Sequence, residues 1–370
     1  MKNASKIIAS LFLSVGILAG CSAPASNTAA GTSAGETTTT AGTTSTDTES
    51  TDTTGTSQGG KIAMVTDLGG VNDNSFNESA WNGMEELKAE GYEVSFVESA
   101  KDADYAPNLS LKTDEGNDLI WAIGFLMKGA VEEAALDNPE QLIGLIDDSF
   151  EDGELPNVTS VMFKAEESSF LVGYIASYMT ETDHVGFVLG MGGPTMDRFQ
   201  YGYMAGVHHG AKEQGKEVKV DAVTIESFND TAKSKATANK MFSDGADIVF
   251  HAAGDAGKGV IEAAKDMGKF AIGVDLDQNE LAPDNVMTSS LKNVNVAIRD
   301  LSKRILDGEK LGGTTVYYGL KEGGVGIAES SSKHVPQDIL DQTKEIENKI
   351  IAGEITVPIS MDEYDTFIAE

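Results

Sequence analysis

Residues 61–97 read KIAMVTDLGGVNDNSFNESAWNGMEELKAEGYEVSFV, and this stretch decides the class of fold. Lys61 to Thr66 is a short apolar run of strand length. From Asn77 to Glu90, Trp81, Met84, Leu87 and Lys88 recur at helical spacing, and Tyr92 to Val97 is a second strand. Near-continuous apolar strands separated by helices predict a parallel sheet covered on both faces.

Downstream, strands are expected at Leu119–Ile123 and Leu142–Ile146, with a helix at Met127–Leu136 between them. Val158–Phe163 leads into a helix over Ala165–Met179, and a second βα series then starts at Val185–Leu189 and runs to Val286–Ser289. Two α/β lobes of doubly wound parallel sheet, joined by a hinge, are the predicted architecture. The boundaries expected are 61–180 for lobe 1, 181–288 for lobe 2, and 289–370 for a return to lobe 1 and a C-terminal segment. The return is expected to include the helix after Val286, the segment Gly324–Ala328 and the helix Gln337–Ile351.

Upstream of this body, residues 1–20 form a signal peptide. Lys2 and Lys6 precede an apolar run from Ile7 to Leu18, shorter than the ~20 residues of a membrane span. Leu18-Ala19-Gly20-Cys21 resembles the bacterial lipobox, which makes Cys21 the expected lipidation site and the mature N-terminus. Residues 21–60 are the acylated Cys and a Ser/Thr-rich tether without apolar period, too polar to fold alone. About 39 such residues reach roughly 35 Å on average.

Cys21 is the only cysteine, so no intramolecular disulfide can form, and with five His the chain offers little for a transition-metal site. A net charge of −32 repels polyanions and argues against nucleic-acid binding. Ala252 to Gly259 superficially follows a phosphate loop, but Ala252 replaces the first Gly and Gly259 the Ser/Thr. His208 and His209 are adjacent rather than four apart, and Asp147-Asp148 has no nucleophile or poised His beside it. The expectation is a protein without catalytic residues, metal or cofactor.

Ser75-Phe76-Asn77 is echoed by Ser227-Phe228-Asn229, each after an apolar strand and before a helix. Ligands bind outside the carboxyl ends of strands in open α/β sheets, which would bring both rings to the mouth of a cleft. Local packing of each ring as a helix staple is the alternative.

Asp67-Leu-Gly-Gly-Val-Asn-Asp-Asn-Ser-Phe-Asn77 with Ser79-Ala-Trp81 resembles the first-strand signature of the basic membrane protein family of lipoproteins, which includes purine nucleoside receptors of ABC transporters. Similar in the same order are residues 163–173, Glu226–Asp230, Ala252–Val260, Gly273–Gln278 and Thr288–Lys292. The resemblance implies a type I periplasmic-binding fold that closes on a purine nucleoside, with aromatic rings around the base and carboxylates and amides on its polar groups. It also implies an ABC transporter permease as partner, attachment to the membrane through the lipid, and a monomer. Ligand-binding residues carried over are Asp73, Phe76, Asn77, Asp147, Phe228, Gly254, Asp275 and Lys292. Asp255 and Lys258 stand in the glycine-rich loop where relatives often have smaller or neutral residues.

Several of these have structural readings as well. Asp73 or Asn77 could cap a helix, Asp275 could form an Asx-turn, Gly254 a tight turn, and Lys292 a solvated helix start. A sugar-binding protein and a signalling surface lipoprotein are the alternatives to the nucleoside receptor.

Overall fold

The computed structural model describes residues 59–369; the signal peptide, Cys21 and the tether as far as residue 58 lie outside the described residues. The chain begins with β1 (Lys61–Val65), α1 (Phe76–Ala89), β2 (Glu93–Val97), α2 (Tyr105–Asp114), β3 (Leu119–Ile123), α3 (Lys128–Asp137), β4 (Leu142–Ile146) and β5 (Val158–Phe163). A second series follows with α4 (Ala165–Met179), β6 (His184–Leu189), α5 (Pro194–Glu213), β7 (Lys219–Thr224), α6 (Thr231–Ser243), β8 (Ile248–Ala252), α7 (Lys258–Met267), β9 (Phe270–Asp275) and β10 (Val286–Lys292). The C-terminal part supplies α8 (Val294–Leu306), β11 (Thr314–Tyr318), β12 (Val325–Ile327), α9 (Gln337–Ile351) and α10 (Met361–Ala369).

Two six-stranded sheets result. The first runs β11-β5-β4-β3-β1-β2 and is parallel throughout. The second runs β12-β10-β9-β8-β6-β7 and is parallel except for β12. Each therefore reverses strand order once, beside β1 in the first sheet and beside β6 in the second. Central strands such as β3 and β8 are wholly buried, whereas the edge strands β2 and β7 are largely half-buried or exposed. Continuous apolar runs are what two covered faces require.

The returns of the chain differ in part from the sequence reading. Residues 324–328 do not return to the first lobe, because β12 lies antiparallel to β10 in the second sheet, with Ser290 opposite Ile327 and Lys292 opposite Val325. A three-residue strand carries no period from which its partner could be read, and here it covers the otherwise open edge of β10. α9 straddles both cores: Ile346 and Ile350 join the first, Ile339 the second. α8 lies on the first sheet, where the indole N–H of fully buried Trp121 donates to Ser302 Oγ at 2.9 Å. α4 and α5 are pressed together backbone to backbone; a Cβ at Gly206 would stand 2.0 Å from the Phe170 carbonyl oxygen. Among the described residues no helix is long and apolar enough to cross a membrane.

Candidate ligand-binding site

The order reversal parts the loops that leave neighbouring strands at their carboxyl ends, and a crevice opens there. In the first sheet the parted loops are Asp67–Ser75 after β1 and Gly124–Phe125 after β3; in the second they follow β6 and β8. The loops after β1, β3 and β8 and the first turns of α5 after β6 face one cavity with about 520 Å³ of space free of atoms, part of it open to solvent. Little of that space lies clear of the walls, so the cavity is a narrow slot. All eight residues singled out from the sequence for ligand binding line it.

Phe76 opens α1 and Phe228 follows β7, so the two rings come from different sheets. Both are only half-buried. Phe228 meets Phe125 edge-on at 6.1 Å between centroids, while the Lys292 ammonium lies 4.2 Å from the centroid of Phe76. The Phe228 carbonyl accepts the Ala256 N–H at 2.8 Å, which ties that ring's backbone to the glycine-rich loop. Gly254 in that loop has φ +53°, a conformation that side chains with a Cβ adopt at a cost. Both rings line the cavity while each also packs against its own lobe.

Asp73 is both a lining residue and a cap. Its Oδ1 accepts the N–H groups of Ser75 (2.8 Å) and Glu78 (3.1 Å), and its Oδ2 accepts the backbone N–H and side-chain amide of Asn77, both at 3.0 Å. It therefore fixes the first turn of α1 and, with it, Phe76 and Asn77. The Asn77 amide also donates to Asp67 Oδ1 at 2.7 Å, while its own Oδ1 is buried without a partner among the described residues. An unpaired buried acceptor is costly unless a ligand donates to it.

Asp147 follows β4 and Asp275 ends β9, with φ of +72° and +64°. Asn74 and Glu226, at +55° and +53°, lie in the two Phe-bearing loops. Non-glycine residues in this region store strain, and two of them, Asp147 and Asp275, line the cavity. Asp275 accepts a hydrogen bond from Ser75 Oγ of the opposite sheet. Lys292 is 3% exposed rather than solvated; its ammonium bonds the Asp147 carboxylate and has the rings of Phe163 and Phe199 each at 5.5 Å. At the rim Lys258 pairs with Asp255 at 2.7 Å.

The electrostatics are those of desolvated acids. Burial pushes Asp67 and Asp275 up to about 6; hydrogen bonding from Asn77 opposes it at the first, and the Lys292 charge at the second. Burial likewise raises Asp73, against the hydrogen bonds of its cap. With Lys292 matched to Asp147, the remaining acids leave the slot negative, which suits a neutral ligand with hydroxyl and N–H donors and repels phosphate.

Sequence reasoning missed Asp67, Gly124, Phe125, Met196 and Phe199 as lining residues. Asp67 and Gly124-Phe125 could have been found, because each follows a predicted strand at its carboxyl end. Met196 and Phe199 lie in the first turns of α5, where no pattern distinguishes lining from core. Cys21 lies outside the described residues.

Residues 61–360 match the family model described as ABC transporter substrate-binding protein PnrA-like. Basic membrane protein A1 of Borrelia garinii subsp. bavariensis is 38% identical over 314 residues, 84% of this chain and 91% of the relative. A Lactococcus lactis subsp. cremoris protein named ABC transporter nucleoside-binding protein BmpA is 35% identical, over 80% of this chain and 89% of its own. Among solved structures, an ABC transporter solute-binding protein from Aeropyrum pernix K1 superposes with a TM-score of 0.75 at 29% identity, covering 84% of this chain and 96% of that one. Fold, cavity and family model agree, and the chain belongs to the PnrA-like family of ABC transporter substrate-binding proteins, which bind and deliver solutes and are not enzymes.

Proposed function

We propose that this substrate-binding protein captures purine nucleosides (guanosine, adenosine or inosine) outside the cytoplasm and delivers them to an ABC transporter permease. The observation that carries this reading is the pair of half-buried rings, Phe76 and Phe228, facing one narrow slot from different sheets. Stacking against an aromatic ring contributes ~1–3 kcal/mol per base and accepts any purine. Buried Asp67 and Asp275, with the unpartnered Asn77 Oδ1, are acceptors suited to ribose hydroxyls and purine N–H groups. The printed name of the lactococcal relative, a nucleoside-binding protein, supports the same ligand class.

The chain acts as a monomer. Its two lobes hinge where the chain passes between the sheets: after β5, after β10, and between β11 and β12. It is held at the outer face of the membrane by acyl chains on Cys21; one chain anchors marginally and two hold firmly.

A thermal-shift panel of nucleosides, free bases, nucleotides and sugars tests the ligand class. A ligand that binds only the native state stabilises it by RT ln(1 + [L]/Kd), ~2.7 kcal/mol at a hundredfold excess over Kd. Guanosine, adenosine or inosine should raise the transition and the corresponding monophosphates should not. If sugars alone raise it, the protein is a sugar receptor.

A further inference from the structure

Outside the cavity, the second sheet grips the loop that carries Phe76 and Asn77 at three nearby positions. Lys258 Nζ donates to the Asn72 carbonyl at 3.3 Å, Gln278 Nε2 donates to the Asn74 carbonyl at 2.9 Å, and Ser75 Oγ donates to Asp275. Of the three second-lobe residues Asp275 lines the cavity and Lys258 is half-exposed at its rim; Gln278 lies behind the lining and is 2% exposed. We propose that Gln278 is a positioning residue for ligand binding: oriented by His251, it clasps the first-lobe loop at Asn74 and so holds the cleft closed around its occupant.

The orientation of the amide follows from its partners. Gln278 Oε1 accepts the Val274 N–H at 3.1 Å and lies 2.9 Å from His251 Nε2. An oxygen that is accepting needs a donor opposite, so Nε2 of His251 carries the hydrogen. Burial holds this imidazole down at about 4, and its Nδ1 has no partner among the described residues, so the ring is the neutral Nε2–H tautomer. The Gln278 backbone N–H donates to Ser289 Oγ at 3.1 Å, which fixes the residue from its other end. With Oε1 engaged twice, only the NH2 group is free to reach across the cleft.

The receiving carbonyl is equally constrained. Asn74 has φ +55°, its N–H is held by Glu78 Oε2 at 2.9 Å, and Asp73 caps the turn that follows. The clasp therefore acts on a loop whose internal geometry is already set, and closing it moves Phe76 and Asn77 toward the second lobe as one piece. The network requires a donor at Gln278. Glu at the same position keeps the shape but sets a carboxylate oxygen against the Asn74 carbonyl.

The kinetic part of the test rests on the nucleoside reading; the scattering part does not. Guanosine association and dissociation rates are measured for wild type, Gln278→Glu and Gln278→Met, with thermal melts of each unliganded protein. Contacts that hold the closed state govern release, so dissociation should accelerate about tenfold in both variants, equivalent to ~1.4 kcal/mol. Association should not slow, and the unliganded melting temperature should change little. Unchanged dissociation, or a loss of affinity matched in both variants by a fall in melting temperature, would make Gln278 a structural core residue and overturn the proposal. If guanosine does not bind wild type, the nucleoside reading falls, and small-angle scattering of the unliganded proteins decides. A larger radius of gyration for Gln278→Glu than for wild type supports the clasp, and superimposable curves overturn it.

Discussion

Asp275 and Asp67 keep carboxyl groups where water is scarce, and their protonation links the site to pH. In the unfolded chain each has the ordinary value of 3.8; burial raises both to about 6 in the folded protein. A carboxyl raised on folding binds its proton more tightly in the native state. The stability it contributes is therefore greatest below pH 4 and is lost as pH rises through 6. A hydroxyl that donates to the ionised carboxylate replaces lost hydration, so a neutral donor ligand prefers the deprotonated site. Guanosine has no group that titrates between pH 5 and 7. Its affinity should accordingly rise across that range, with proton release on binding near pH 6, as read by calorimetry in buffers of different ionisation enthalpy. A flat profile would mean that neither carboxylate meets the ligand. The two rings are tested separately. Phe76→Ala and Phe228→Ala should each weaken guanosine binding by ~1–3 kcal/mol, about 5- to 150-fold in Kd. Neither should approach the ~3–5 kcal/mol of stability that truncating a fully buried Phe costs. Denaturant melts beside the titrations separate the outcomes, and loss of stability with unchanged affinity would return both rings to the role of local staples.

At the scale of elements, legibility followed burial. β3 and β4 are apolar along their length, and β1 and β8 nearly so, because both faces are covered, and such runs stand out in the sequence. α2 went unread: it carries Pro107, and its buried residues are only Tyr105, Leu109 and Lys112, too few and too mixed to form a stripe. β11 is an edge strand with Tyr317 half exposed, and α10 buries no residue completely, so neither shows the period that marks an element. The two rings were legible from their places after a strand and before a helix; Asp147 and Asp275 came only from the family resemblance, and in the structure Asp147 follows β4 and Asp275 ends β9. What could not be read was how the Lys292 ammonium is surrounded, since Asp147, Phe76, Phe163 and Phe199 come from four separate segments. Nor could the double part of Asp73, which faces the cavity while capping α1, be told from its position alone.

At the scale of the whole molecule, a net charge of −32 and a negative slot make a polyanionic cargo unfavourable, and the family makes the protein a receptor rather than a catalyst. If the proposed acyl chains on Cys21 hold this receptor at the membrane, Cys21→Ser should release the protein from the membrane fraction into the medium or periplasm; a variant still in the pellet would remove the anchor. The central claim, that the cleft takes a purine nucleoside, is tested most directly by calorimetric titration of the wild-type protein with guanosine, run beside ribose and guanosine monophosphate at the same concentrations. The account predicts saturable one-to-one binding of guanosine with neither ribose nor the monophosphate competing, and binding of ribose in place of guanosine, or of no nucleoside at all, would contradict it.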